Sequence, residues 1–147
     1  MTTDTRADYA ALILRVSLGL SLFAYGFLLK VLTFTPAGTA AYFESIGYPA
    51  ALAYYVIAVE AVGGLMLVAG LWSRWVSLAA LPVLLGATLQ HFPNGWIFSN
   101  ENGGWSYPAF WAAALVVQFL LGDGAYALRP AAERALGLRA RPAAARA

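Results

Sequence analysis

Few residues in this chain can do chemistry, and their types are particular. There is one His (His91), one Lys (Lys30), an Arg early in the chain (Arg15), and two acids, Glu60 and Glu101, in apolar or loop surroundings. Around His91 lie the aromatics Trp96, Trp105 and Tyr107. Lys, His and Tyr donate hydrogen bonds to carbonyl oxygens, and His, Glu and Lys hold or pass protons. Such a set suits a ligand whose carbonyl groups take up protons. Cysteine is absent, which excludes thiol–disulfide relay, persulfide carriage, thiolate-bound zinc and iron–sulfur ligation by this chain. A single His also excludes a haem held by two His of one chain. No metal site and no intrinsic cofactor are expected.

The elements that must position these residues are apolar. Of 147 residues, 61% are hydrophobic and 11% charged, with a mean hydropathy of +0.68, whereas about a quarter of an ordinary soluble domain is charged. The composition is that of a membrane protein, and the length allows about four or five spans. Apolar stretches run over 10–32, 50–71, 75–92 and 107–121. Between the first two, Thr35-Pro36 is a helix start, followed at 37–46 by a stretch too short to span, whose Tyr42, Phe43 and nearby Tyr48 suit a membrane interface. The expected fold is therefore an all-α membrane protein: a four-transmembrane-helix bundle with a short interfacial helix between spans one and two. Pro82 falls inside span three, where packed neighbours can satisfy the freed carbonyl.

The opening residues carry Asp4 and Asp8 against Arg6, unlike the basic start of a secretory signal, so 10–32 is read as a retained span. Residues 1–9 form an N-terminal segment, 10–124 the membrane domain, and 125–147 a basic Ala/Arg-rich tail expected to be partly disordered. Four spans put both termini and the Arg74 turn on one side, with Arg6, Arg74, Arg129, Arg134, Arg139, Arg141 and Arg146; the positive-inside rule makes that side cytoplasmic. The basic tail is read as a topology determinant attracting anionic lipid, not as a nucleic-acid site.

Helical spacing gathers the polar residues onto stripes of small ones, the pattern of a bundle interior in lipid. Arg15, Gly19, Leu22, Gly26 and Lys30 share one face of span one. Ala53, Glu60, Gly63, Gly64, Leu67 and Gly70 do so in span two, Ser77, Leu81, Leu84, Thr88 and His91 in span three, and Tyr107, Trp111, Ala114 and Gln118 in span four. Depth divides them into two layers. In the inner one, Arg15 and Glu60 are expected to form a buried charge pair locking the first two spans; the other reading is a Glu60 that handles protons or binds a ligand. In the outer one, Lys30, His91, Trp96, Glu101, Trp105 and Tyr107 are expected to line a pocket between spans one, three and four. A quinone head group fits that pocket, with its isoprenoid tail leaving between helices. The alternative is that the aromatics anchor the interface, His91 caps its helix, and 100–108 is a tight loop.

The ordered set of short motifs resembles the DoxX family of small bacterial and archaeal membrane proteins. It consists of G-x-x-x-K (Gly26 to Lys30) after an early Arg, E-x-x-G-G (Glu60 to Gly64), G-L-W-S-R (Gly70 to Arg74), H-x-P-N-G-W (His91 to Trp96), E-N-G-G-W-S-Y-P (Glu101 to Pro108) and L-L-G-D-G (Leu120 to Gly124). The resemblance covers about residues 10 to 128. Many relatives carry His-Gly near the middle of span one, where this chain has Tyr25-Gly26. The resemblance implies a four-helix membrane bundle. It also implies a link to redox systems: the family is named from a subunit of an archaeal thiosulfate:quinone oxidoreductase, and some relatives are tied to oxidative-stress complexes.

Two functions from different classes follow. The first is a quinone-interacting subunit of a membrane redox system, thiosulfate- or sulfur-linked, drawing electrons from a partner or directly from substrate because the chain lacks the usual cofactor ligands. The second is a non-catalytic membrane anchor or assembly partner, which small size, glycine faces and an arginine tail also fit. A transporter of small molecules is disfavoured by the absence of an internal repeat or paired broken helices. The expected partners are membrane lipid, a quinone, and either another protein or further copies of the chain, and the expected location is the bacterial cytoplasmic membrane.

Overall fold

The computed structural model describes residues 3–136, so the tail arginines Arg139, Arg141 and Arg146 lie outside the described residues. Within them the chain is all helix, with no strand. Helix α1 (Thr3–Phe23) continues without a break into a π-helical segment, Ala24–Thr33. Then come α2 (Pro36–Ser45), α3 (Ala50–Ala69), α4 (Ser73–His91) with a 3₁₀ turn at Phe92–Asn94, α5 (Ser106–Leu121) and a short α6 (Arg129–Ala135). The last of these lies in the segment expected to be partly disordered. Helix α1 already begins at Thr3, inside the expected N-terminal segment.

Among the described residues, three helices are long and apolar enough to cross a membrane: Thr5–Thr33, Ala50–Ala69 and Ser73–Asn94. Helix α5 is apolar but has 16 residues, about 24 Å at ~1.5 Å per residue. The burial pattern is that of a protein solvated by lipid. Ile13, Val62, Leu89, Phe110 and Leu120 face outward, while Arg15, Glu60, Ser73, Ser77 and Gln118 are buried. Lipid is as apolar as leucine, so nothing drives leucines inward there, whereas polar side chains must find partners inside.

The core is formed by Leu18 and Leu22 of α1, Leu67 of α3, Val76, Ala80 and Leu84 of α4, and Trp111, Ala112 and Leu115 of α5. Helices α1 and α3 pack closely because glycines remove the side chains between them. A Cβ at Gly19 would lie 2.6 Å from the Gly64 carbonyl oxygen, and one at Gly26 would lie 2.5 Å from the Ala61 nitrogen. These contacts set the register: Gly19 faces Gly64, Gly26 faces Glu60 and Ala61, and Arg15 therefore faces the end of α3.

Turn chemistry places the remaining elements. Thr35 caps α2, its hydroxyl accepting from Gly38 N at 3.1 Å, with Pro36 in the first turn. Gly70, at φ 69°, closes α3 in a Schellman arrangement with Gly70 N to Leu67 O at 3.0 Å and Leu71 N to Met66 O at 2.8 Å. At the far side of that turn, Asp123 Oδ1 accepts from Ser73 N at 2.6 Å and satisfies a free donor at the start of α4. The chain after α5 is thus tied to the α3–α4 turn. Leu128 N and Arg129 N reach Ala69 O and Gly70 O, Ala125 N reaches Asp8 Oδ1, and Tyr9 stacks on Tyr126 at 5.2 Å.

Candidate functional site

The end of the bundle opposite this clasp holds a cavity of about 430 Å³, bounded by the π-helical segment and by α2, α3, α4, α5 and the α4–α5 loop. The sequence reading put it between spans one, three and four; α2 and α3 join them because α2 packs onto α3 and the π-helical segment. The walls are mostly apolar and strongly aromatic. Tyr25 meets Trp111 edge-on at 5.4 Å, Trp111 meets Tyr107 at 5.0 Å, and Tyr107 meets Phe98 at 5.2 Å, a continuous series of rings. Tyr42, Phe43, Tyr48 and Tyr55 line it too, and the Tyr55 hydroxyl donates to Ala79 O at 2.7 Å.

One ion pair faces this space. Lys30 Nζ donates to Glu60 Oε2 at 2.6 Å, with 17% and 8% of the two side chains exposed. Lys30 also sits 5.7 Å above the Tyr25 ring. The π-helical winding delivers it: an i→i+5 turn is wider than an α turn and recurs at functional sites. Thr39 steadies the same segment, donating to Lys30 O at 3.1 Å.

The expected Arg15–Glu60 pair is not formed. Arg15 Nη1 donates to Leu67 O at 3.1 Å and Val68 O at 2.6 Å, and Nη2 donates to Tyr126 O at 2.6 Å. The reason is register. Leu67 lies about 10 Å along α3 from Glu60 at ~1.5 Å per residue, and the carbonyls at the negative end of α3 attract the guanidinium. Arg15 is a structural cation at the clasp end, and Glu60 belongs to the cavity at the opposite end.

The other expected pocket residues divide. Lys30, His91 and Tyr107 line the cavity; Trp96, Glu101 and Trp105 do not. Trp96 and Trp105 pack on each other edge-on at 4.6 Å, Trp105 packs on Phe92 at 5.4 Å, and both tryptophans border a separate, more open groove with Phe98 and Phe110. Glu101 is exposed at the loop tip. The loop folds tightly on itself because Gly104 presses its backbone against the carbonyls of Ile97 and Gly95, where a Cβ would collide. His91 helps close it: Nδ1 lies 3.0 Å from Asn102 O and 3.2 Å from Gly103 O, and Asn94 Nδ2 donates to the same two carbonyls. Two carbonyl oxygens beside Nδ1 suit an N–H donor at that nitrogen. His91 thus pins the loop as well as lining the cavity.

Sequence reasoning missed Tyr25, Trp111 and Tyr55 as cavity walls. Tyr25 had a signal, since it stands where many relatives of the resembling family carry His. At the clasp it missed Asp123. Burial there opposes ionisation, but the Ser73 N–H and Arg129 outweigh it and hold the Asp123 carboxyl below its usual range; Arg129 Nη1 is 3.0 Å from Asp123 Oδ2.

The DoxX family model matches residues 10–93. The chain belongs to the DoxX family. The match takes in α1 to α4, including Lys30, Glu60 and His91, and ends before the 101–108 and 120–124 motifs. A curated relative from Bacillus subtilis (strain 168), "Putative oxidoreductase CatD", is 35% identical over 82 residues, which is 56% of this chain and 59% of that protein. The chain thus matches less than two thirds of that relative's length. No solved structure matches it.

Proposed function

We propose that this DoxX protein is a quinone-interacting subunit of a membrane redox system, holding the quinone ring in the outer cavity. The observation that carries this reading is the cavity itself. Its roughly 430 Å³ lies within the range of small-molecule sites, about 300–1,000 Å³. Its aromatic walls suit a flat ring, and Lys30, His91 and Tyr107 supply the few polar contacts that would orient one. The oxidoreductase name of the Bacillus relative agrees with this class of chemistry. With no Cys in the chain, electrons come from a protein partner or from the substrate, which is sulfur-linked if the thiosulfate system after which the family is named is a guide.

In this proposal α5 is a fourth span, slightly short, and the chain lies in the bacterial cytoplasmic membrane. Both termini are cytoplasmic, because the clasp end gathers the Arg74 turn and Arg129. Reporter fusions at Asn94 and after Ala147 should then read outside and inside respectively; the reverse would refute the orientation.

Gly86 provides the test of the cavity. It lines the cavity, and a Cβ there meets nothing within 4 Å, so Gly86→Leu fills the space without a backbone clash. The purified protein should bind a decyl-benzoquinone saturably, with loss of most tryptophan fluorescence from Trp111, and Gly86→Leu should bind at least ~10-fold more weakly while melting near the parent temperature. Absence of saturable binding by the parent would refute the quinone reading and favour a non-catalytic anchor or assembly partner.

A further inference from the structure

The Lys30–Glu60 pair leaves specific valences open. Glu60 is 6% exposed and lines the cavity, yet only Oε2 is bonded; Oε1 has no partner among the described residues. Lys30 uses one of its three N–H donors on Glu60. Together they present the cavity with an unmet acceptor beside unmet donors.

The charges of such a pair cancel, and this constrains the occupant. An anion drawn to Lys30 meets the Glu60 carboxylate, and a cation drawn to Glu60 meets the ammonium, each in apolar surroundings where unpaired charge is costly. A neutral group able to accept from Lys30 and donate to Glu60 Oε1 satisfies both at once, and a hydroxyl does this with a single oxygen. A carbonyl oxygen meets only the Lys30 half and leaves its lone pairs against the carboxylate. The ring series Tyr25–Trp111–Tyr107–Phe98 extends from beside Lys30 along the wall, so the hydroxyl is borne by an aromatic ring.

We propose that the Lys30–Glu60 pair reads a ring hydroxyl, so that the cavity holds the reduced quinol form in preference to the quinone. This rests on the quinone reading above and specifies which redox form the site selects. No covalent change is involved: the quinol keeps its proton, donated to Glu60 Oε1, while its oxygen accepts from Lys30 Nζ. By linkage, tighter binding of the reduced form raises the midpoint potential of the bound couple, and tenfold selectivity corresponds to about 30 mV for a two-electron couple. Glu60 and Lys30 are then specificity-determining residues that contact the ligand.

The experiment compares three probes on the purified full-length protein: a decyl hydroquinone kept reduced, the matching decyl-benzoquinone, and the dimethyl ether of the hydroquinone, which keeps the oxygens but cannot donate. The expected result is that the hydroquinone binds at least ~10-fold more tightly than either of the others, because each leaves Glu60 Oε1 unpaired. In the charge-neutral double variant Lys30→Met/Glu60→Leu, the three should bind within about threefold of one another. Equal binding of the three probes by the parent, or preference for the quinone, overturns the hydroxyl reading while leaving the quinone site standing. Selectivity that persists in the double variant also overturns it, by assigning the discrimination to other groups. If none of the three binds, both readings fall. The parent comparison needs no substitution, so it decides the matter even if the double variant does not fold.

Discussion

The two ends of the bundle bury charge in opposite ways. At the clasp, the buried charges are bonded largely to the backbone. Arg15 spends its terminal nitrogens on the carbonyls of Leu67, Val68 and Tyr126, Asp123 accepts from Ser73 N, and Gln118 donates to Gly122 O at 2.7 Å. At the opposite end, Lys30 and Glu60 hold each other and leave valences turned to a cavity. A charge bonded to main-chain carbonyls fixes helix ends; a charge paired with another beside open volume remains able to meet a ligand. The clasp does keep unpaired buried atoms, Arg15 Nε, Ser73 Oγ, Ser77 Oγ and Gln118 Oε1. Neither cavity described above is lined by their residues.

The largest expected effect strikes the register on which this contrast depends. Gly64→Leu places a Cβ 2.6 Å from Phe23 N and 2.7 Å from Gly19 O, against backbone that cannot yield cheaply. It should abolish recovery of a monodisperse protein in detergent; a folded variant melting near the parent would show that α1 and α3 are not so closely packed. Next, Arg15→Leu removes the guanidinium that bonds Leu67 O, Val68 O and Tyr126 O, and should lower unfolding stability in detergent by about 3 kcal/mol. Binding of the hydroquinone probe by the remaining folded protein should be unchanged, and a loss of affinity beyond the loss of folded protein would erase the distinction between the ends.

A double-mutant cycle sharpens the comparison further. Glu60→Leu alone strands the Lys30 ammonium, so it should cost more stability than Lys30→Met/Glu60→Leu, with a coupling of about 1–3 kcal/mol. The cycle between Arg15 and Glu60 should be additive within about 0.5 kcal/mol; coupling there and none with Lys30 would reverse the pairing.

The smallest effect concerns acid. Because the folded state depresses the Asp123 pKa, its contribution is complete above the ordinary value of 3.8 and is lost as pH falls below that value through the lower folded one. The parent should therefore lose more stability than Asp123→Asn between neutral pH and the acid range, and the two melting curves should converge at the acid end. Parallel pH profiles would remove Asp123 from the clasp.

Much of the architecture was legible along the chain. The stretch at 50–71 became α3, 75–92 became the body of α4, and Thr35-Pro36 did open α2, because long apolar runs and turn residues act locally. Burial of Arg15, Glu60, Trp111 and Gln118 followed from the spacing of their stripes. The pairing of Glu60 was not legible, since two cations lay on the same stripe of span one and the glycine contacts that choose between them involve two helices. Trp96 and Trp105 are close to His91 in sequence, but the tight turn at Gly104 aims them into another groove. Tyr25 and Trp111 meet across the π-helical segment and α5, a contact with no trace in either segment alone.

Composition and periodicity were thus enough for the class of protein and the list of polar residues it would bury, because a lipid solvent penalises exposed charge and favours apolar faces whatever the helices' arrangement. The family followed from short motifs in order along the chain. Which cation meets Glu60, and whether its charge is spent on backbone or turned toward a cavity, depended on the register of α1 against α3 and on the π-helical winding that carries Lys30. That register arises from contacts between residues far apart in sequence, where a displacement of one helical turn changes every partner while leaving the periodic pattern the same.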